Sequence, residues 1–172
     1  DGGASTITVT ARDASGNPVA GATVVIAAGG AGNTVTQPAA VTDANGEATG
    51  SVASTVVGDK EISATIGGTP VTDTATVTVT VGALSTAAST LTLSADTLSA
   101  DGGTSSITVT ALDQNGNPIS GLAVVLAATG TGNTLTQPPT VTDVNGQAVG
   151  LFSSTGAGAH ILPSASITWI AG

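Results

Sequence analysis

The chain of 172 residues contains no cysteine and only two basic residues, one tryptophan and one phenylalanine. Without cysteine it can form neither disulfides nor thiolate metal sites. Nucleic acid is excluded as a partner, because Arg12 and Lys60 alone cannot form the basic patch that phosphate contacts require. An anionic membrane surface is disfavoured for the same reason. The net charge of −9 is expected to keep an apolar, threonine-rich surface in solution.

Long hydrophobic runs are also missing. The longest uninterrupted apolar stretch covers residues 122–128, whereas a membrane-spanning helix needs about 20 such residues. We therefore predict no direct insertion into a membrane. Because the chain opens at Asp1 without a signal peptide, we expect it to be an excised or mature fragment.

The chain is instead rich in threonine, valine, alanine and glycine, with 40% hydrophobic and 8% charged residues. It repeats itself after 100 positions. Residues 1–50 and 101–150 are identical at 32 of 50 aligned positions, which indicates two copies of one structural unit. Only the second copy begins with the strand-like stretch 89–100, and only the first ends with one, at 73–81.

Alternation of apolar and polar residues predicts antiparallel strands with one solvated face at 90–94, 106–112 and 74–81. Residues 47–54 and 147–154 alternate in the same way. The continuous apolar runs at 22–28 and 122–128 are interpreted as central strands. Clusters of Asx, glycine and proline separate these segments every 8–12 residues, so each copy is predicted to be a Greek-key β-sandwich of roughly seven strands.

The phrase VTDANGEATG at residues 41–50 returns as VTDVNGQAVG at 141–150. We interpret it as a turn in which Asp43 accepts backbone hydrogen bonds and Gly46 adopts a left-handed conformation. The alternative is a calcium site formed by Asp43, Asn45 and Glu47. That alternative lacks the further oxygen ligands of a calcium loop, and the second copy replaces the glutamate with Gln147.

The order ADGGTSSITVTALDQNGNPISGLAVVLAA followed by TDVNGQAVGLFSST resembles the group 1 bacterial immunoglobulin-like repeats of the intimin and invasin adhesins. The DxNGNPxxG and TDxNG signatures carry this resemblance. It covers nearly all of residues 89–172 and, without its first strand, residues 1–82. It implies rigid, rod-like tandem sandwiches that hold a binding tip away from the cell. Nothing here matches such a tip, so no catalytic, cofactor-binding or metal-binding residues are predicted.

The fold class is therefore all-β: two tandem immunoglobulin-like Greek-key β-sandwiches, each lacking one terminal strand within this chain. Residues 1–82 form repeat 1, without its first strand, and residues 90–172 form repeat 2, without its last. Residues 83–89 are a short linker of small residues with limited bending.

Several polar residues are candidates for a site. His160 is the only histidine and is interpreted as a loop residue rather than part of a catalytic triad with Ser153 or Ser154 and Asp143. The glycine-rich segments 29–33 and 129–133 lack the lysine and helix of a phosphate loop. Calcium at the junction of the repeats is a further alternative, with these candidate ligands: Asp73, Asp96, Asp101 and Asp143.

Three apolar positions carry structural predictions. Phe152 is expected to face the core, and Trp169 to pack in the core or to anchor a junction. Val25→Asp or Val125→Asp is expected to unfold its repeat by burying an unpaired charge.

The resulting functional prediction is a non-enzymatic stalk of a bacterial cell-surface adhesin, extracellular and in contact with neighbouring Ig-like repeats. One alternative is a filament subunit, a homopolymer in which each chain supplies the strand that its neighbour lacks. The other is a carbohydrate-binding module of a secreted protein. The scarcity of aromatic residues argues against that last alternative.

Overall fold

The computed structural model of the chain describes residues 3–156 and 164–169. It divides into two compact units, Asp1–Thr80 and Val81–Gly172. All regular secondary structure in the described ranges is β-strand. Within these ranges no helix has the length and apolar character needed to cross a membrane.

The strands of the first unit form two antiparallel sheets. In chain order they are β1 (Ser5–Thr10), β2 (Val24–Ala28), β3 (Asn33–Thr36), β4 (Glu47–Ser54), β5 (Gly58–Ile66), β6 (Thr69–Pro70) and β7 (Ala75–Val79). One sheet has the order β1-β4-β3. The other has the order β2-β5-β6, and β7 also pairs with β5.

The second unit repeats this plan and has an additional first strand. Its strands are β8 (Thr90–Leu93), β9 (Thr104–Thr110), β10 (Leu122–Ala127), β11 (Asn133–Thr136), β12 (Gln147–Ser154) and β13 (Ser164–Trp169). One sheet has the order β11-β12-β9-β8, and the other pairs β10 with β13. The strand segments predicted from alternation are thus confirmed.

The first strands of the two copies have different neighbours. β9 pairs with β12 on one side and with β8 on the other. Its counterpart β1 pairs with β4 alone among the described residues. The stretch that would follow β13 lies outside the described residues, so the missing last strand of the second copy stays a prediction.

Each unit has a core formed by residues of both of its sheets, as in a β-sandwich. The buried core residues are Val9, Val24, Ile26, Ala48, Val52 and Ile62 in the first unit, and Ile107, Val109, Val124, Leu126, Ala148 and Phe152 in the second. The inward position predicted for Phe152 is confirmed. Full burial of one such aliphatic side chain stabilises the fold by about 1.5–3 kcal/mol.

A glycine in β4 lets the two sheets approach closely. A Cβ on Gly50 would lie 2.5 Å from the carbonyl oxygen of Thr36 and 2.8 Å from Cδ1 of Ile26. Neither position leaves room for a methyl group. Gly50 is therefore a packing requirement, and Gly150 has the same role in the second unit, where a Cβ would collide with Leu126.

The interpretation of the two continuous apolar runs as central strands is wrong. β2 is the terminal strand of its sheet order, and Val25 is 54% exposed while Val24 and Ile26 on either side are buried. Val125 is also 54% exposed. Because nearly every residue of the run is apolar, the alternation of buried and exposed positions cannot be seen in the sequence. An aspartate at position 25 or 125 would be exposed rather than buried, so the expected unfolding by Val25→Asp or Val125→Asp has no physical basis.

A glutamine side chain covers the edge of β2 that faces away from β5. The Gln37 Oε1 accepts a hydrogen bond from the Ile26 N–H at 2.8 Å, and its Nε2 donates to the Ile26 carbonyl at 2.7 Å. Gln137 makes the same pair with Leu126, at 2.7 and 2.9 Å. One amide thus satisfies the two backbone groups that a neighbouring strand would otherwise bind.

Candidate functional site

The repeated phrase forms a tight turn that closes on its own backbone. In the first copy, Asp43 Oδ1 accepts hydrogen bonds from the backbone N–H groups of Asn45 at 2.8 Å and Glu47 at 2.9 Å. Gly46 has a φ of 77°, the left-handed region that favours glycine. The hydrogen bond from the Glu47 backbone is the largest effect lowering the pKa of Asp43 below its usual value. The turn interpretation is confirmed.

The same phrase joins three segments of the unit. The Ala11 N–H donates to the Gly46 carbonyl at 2.7 Å, and a Cβ on Gly46 would collide with the Ala11 carbonyl oxygen. The buried Thr42 hydroxyl accepts from the Ala22 N–H at 2.9 Å and donates to the Val19 carbonyl at 2.7 Å. Thr42, Asp43 and Gly46 are thus all bonded to backbone groups of the first unit.

Two of the acidic residues proposed as calcium ligands have local hydrogen-bond partners. No group of three or more histidine or acidic side chains placed to hold a metal ion occurs in the part of the chain that the structure describes. Asp101 accepts a short hydrogen bond from the Ser99 hydroxyl, and Asp143 accepts backbone bonds from Asn145 and Gln147. These two of the proposed junctional calcium ligands therefore have local structural partners.

The glycine-rich segment at residues 29–33 points its carbonyls inward. Asn33 Nδ2 donates to the Gly29 carbonyl at 2.8 Å and to the Gly30 carbonyl at 3.0 Å. The buried Lys60 ammonium donates to the Ala31 carbonyl at 3.2 Å. A phosphate loop would instead present its N–H groups to the ligand. In this loop the groups directed toward the centre are carbonyl acceptors rather than N–H donors.

The DxxGNP segment is a second Asx turn in each unit. Asp13 Oδ1 accepts from the backbone N–H groups of Ser15 and Asn17, both at 2.9 Å, and Asp13 Oδ2 accepts from the Asn17 side chain at 3.0 Å. The side-chain bond from Asn17 is the largest effect lowering the pKa of Asp13. Asp13 is exposed, which distinguishes it from its counterpart in the second unit.

That counterpart, Asp113, is 1% exposed and binds the first residues of its own unit. The Gly82 N–H donates to Asp113 Oδ2 at 3.1 Å, beside the Asn117 side chain at 2.8 Å. Burial raises the pKa of Asp113, but the bonds from Asn117 and Gly82 outweigh it and lower the pKa to about 2. The sequence identified this residue only as part of a turn.

The segment predicted to be a linker is bonded to the second unit along its length. The Ser85 N–H donates to the Leu112 carbonyl at 2.8 Å, and the Ser89 hydroxyl accepts from the Leu112 N–H at 3.0 Å. Leu84 packs against a buried cluster that contains Ala111 and Ile119. Residues 82–89 are therefore hydrogen-bonded and packed as part of the second unit.

Comparison with known families decides the identity of the repeat. The sequence profile of the bacterial Ig-like domain (group 1) matches residues 1–81 and again residues 88–168. The chain belongs to this family. A search of curated protein sequences gives no match.

Solved structures agree with this Ig-like assignment. InvD of Yersinia pseudotuberculosis is 29% identical with a TM-score of 0.55, over 98% of this chain and 53% of that one. FdeC, an Escherichia coli adhesin, is 22% identical with a TM-score of 0.53, over 98% and 60%. Invasin, a bacterial integrin-binding protein, is 22% identical with a TM-score of 0.59, over 89% and 31%. This chain thus spans less than two thirds of each.

Two candidate residues of the Ig-like sequence have no described side chain. His160 lies outside the described residues, and so do its neighbours in the segment 157–163. Trp169 ends β13, where its Cα is the register partner of Leu122. Their functional interpretations stay predictions.

Proposed function

We propose that this pair of Ig-like domains is a non-enzymatic spacer in the stalk of a bacterial surface adhesin. It would act outside the cell by holding a binding tip, located elsewhere in the parent protein, away from the surface. Its partners would be the neighbouring Ig-like repeats. The family match over both units supports this proposal.

One structural observation carries the argument. The polar side chains that the sequence repeats most faithfully are bonded to backbone groups within their own unit. Asp43, Thr42 and Gln37 each make at least two such bonds. A recognition or catalytic site needs polar groups that remain available to a ligand. Polar side chains that stabilise the fold in this way are what a rigid spacer domain requires.

Force spectroscopy on the whole chain tests the mechanical part. An antiparallel ladder should unfold cooperatively, one unit at a time, because its backbone bonds are loaded together. With 80 residues in the first unit and 92 in the second, the two events should lengthen the chain by roughly 260–290 Å and roughly 300–330 Å, each less the span of the folded unit. Gradual extension without separate force peaks would contradict a load-bearing role.

A domain exchange in the full-length parent protein tests the spacer role. We would replace the whole chain with two Ig-like domains of equal length but unrelated surface residues. Adhesion should be retained, whereas replacement by a short flexible linker should reduce it. If the equal-length exchange abolishes adhesion while surface display is unchanged, the chain itself recognises the receptor and the proposal fails.

A further inference from the structure

Asparagine followed by glycine is a dipeptide prone to spontaneous deamidation, in which the glycine nitrogen attacks the side-chain carbon Cγ of the asparagine. Glycine favours this attack because it has no Cβ to hinder the approach. The chain contains three such dipeptides, each in a turn opened by an aspartate: Asn45–Gly46, Asn115–Gly116 and Asn145–Gly146. Each glycine N–H donates to the carbonyl of its aspartate, at 2.9–3.1 Å. The surroundings of the glycine must therefore decide which dipeptide reacts.

Two of the three dipeptides are enclosed by their own unit. Gly46 and Gly146 are buried. The Gly46 carbonyl accepts the Ala11 N–H at 2.7 Å, and the Gly146 carbonyl accepts the Ala111 N–H at 2.8 Å. A Cβ on either glycine would collide with the carbonyl oxygen of the same alanine. Attack requires the peptide group between asparagine and glycine to rotate out of the turn, and these contacts prevent that rotation.

The third dipeptide is open. Gly116 is exposed, and no atom of the described residues beyond its chain neighbours lies within 4 Å of the position that a Cβ would occupy. Asn115 is also exposed, and its side chain has no hydrogen-bond partner in the described part of the chain. The side chains of Asn45 and Asn145 each donate to an aspartate of their own turn at 3.5 Å. The peptide group before Gly116 can thus rotate once a single turn bond opens.

The other asparagines of the chain are followed by residues that oppose the reaction. Asn17 and Asn117 precede proline, whose nitrogen carries no hydrogen. Asn33 and Asn133 precede threonine, whose branched Cβ hinders the attack. The first unit also lacks the open dipeptide, because Ser15 stands where the second unit has Asn115.

We infer that Asn115 is the site at which the folded chain deamidates, and that the product loosens the turn held by Asp113. The Gly116 nitrogen forms a bond to Cγ of Asn115 and gives up its proton, while the side-chain nitrogen leaves as ammonia. Water then opens the resulting cyclic imide at either carbonyl, which leaves aspartate or isoaspartate at position 115. One water is consumed and one ammonia is released, so no oxidant, reductant or enzyme is required.

The consequence follows from the bonds that the turn makes. Asp113 Oδ1 accepts the backbone N–H groups of Asn115 and Asn117, both at 2.9 Å. Isoaspartate adds one methylene to the backbone between these two donors and moves them apart. Either product also places a second carboxylate near Asp113, where like charges repel. Since Asp113 Oδ2 accepts the Gly82 N–H at 3.1 Å, a loosened turn also weakens the attachment of the first residues of the second unit.

Timed incubation of the whole chain in mildly alkaline buffer, followed by mass spectrometry, tests the site. Cleavage before aspartate places the three dipeptides in the separate peptides 43–58, 113–142 and 143–172. Asn115 should convert roughly tenfold faster or more than Asn45 or Asn145, because reaction at those two requires local opening of the fold. In denaturant all three should react at similar rates, since the dipeptide is the same.

Two substitutions exchange this property between the units. Asn115→Ser copies the turn of the first unit and should abolish conversion at position 115. Ser15→Asn creates the dipeptide before Gly16, which is exposed and, like Gly116, has no described atom near its Cβ position beyond its chain neighbours. The new site should react faster than Asn45 in the same molecule.

Hydrogen exchange and thermal unfolding of the converted chain test the consequence. The Gly82 amide should exchange with solvent several-fold faster than before conversion, because its bond to Asp113 is weakened. The unfolding midpoint of the second unit should fall relative to Asn115→Ser incubated in parallel.

Three results would overturn the assignment of the site: equal rates at the three dipeptides in the folded chain, faster conversion at Asn45 or Asn145, or no conversion at Asn115 while the unfolded chain reacts. Full conversion of Asn115 with unchanged Gly82 exchange and an unchanged midpoint would overturn the loosened turn. None of these results bears on the force and domain-exchange experiments, so the two proposals fail separately.

Discussion

Gln137, which covers the outer edge of β10, allows the contribution of its hydrogen bonds to stability to be separated from that of its shape. Gln137 accepts the Leu126 N–H and donates to the Leu126 carbonyl. Gln137→Glu keeps the outline of the side chain but replaces the donating nitrogen, 2.9 Å from the carbonyl oxygen, with an acceptor. Two acceptors then face each other at neutral pH, and the second unit should lose stability.

The size of the effect follows from the lost donor. Leaving a largely buried acceptor without its partner costs about 1–3 kcal/mol. A loss of about 2 kcal/mol corresponds to a fall in Tm of roughly 8–16 °C for a domain of this size. Protonation of the introduced carboxyl restores a donor, so its pKa in the folded state should lie above the usual value of about 4.3. The loss should therefore be complete above that raised pKa and shrink as the pH falls through it.

Thermal unfolding at pH 7 and pH 4 measures this difference against wild type. Gln147→Glu is the matched control, because it adds the same charge to the same unit at an exposed position at the start of β12. We expect a small, nearly pH-independent change for the control. Equal Tm values for the two variants at pH 7, or a loss at position 137 that persists undiminished at pH 4, would refute the donor role of Gln137.

Three further predictions concern the turn anchor, the packing and the corrected strands. The pKa of Asp113 is lowered to about 2 in the folded chain from an ordinary 3.8. The wild type should therefore lose stability as the pH falls from about 4 toward 2. In denaturant titrations, the difference in unfolding free energy between the wild type and Asp113→Asn should narrow over the same range. Gly50→Ala should destabilise the first unit by about 1–3 kcal/mol through overpacking; Gly29→Ala, whose Cβ would lie 3.6 Å from the nearest atom, should cost less than half as much in the same calorimetric scan. Ile26→Asp should unfold the first unit, whereas Val25→Asp should change its stability by about 0.5 kcal/mol or less; similar circular dichroism melts for both would contradict the burial pattern of β2.

The sequence by itself determined the repeat, the strands with alternating apolar and polar residues, and the turns. Asp43 and Asp13 bond backbone groups two to four residues away, so each turn is encoded within its own short phrase. Alternation placed Phe152 inward because successive side chains of a strand point to opposite faces. The family resemblance depends on these same local signals, which is why the amino-acid sequence alone is enough to reveal it.

Only the tertiary structure decided the contacts between distant segments. Gln37 bonds Ile26 across 11 residues, and Gly82 bonds Asp113 across 31, and no local pattern of apolar and polar residues specifies such pairs. Val25 is apolar yet 54% exposed, because the face that a strand buries depends on which sheet lies opposite. Hydrogen bonds between neighbouring residues determine the individual strands and turns. The packing of distant segments against one another determines which side chains and backbone groups are buried and which stay exposed.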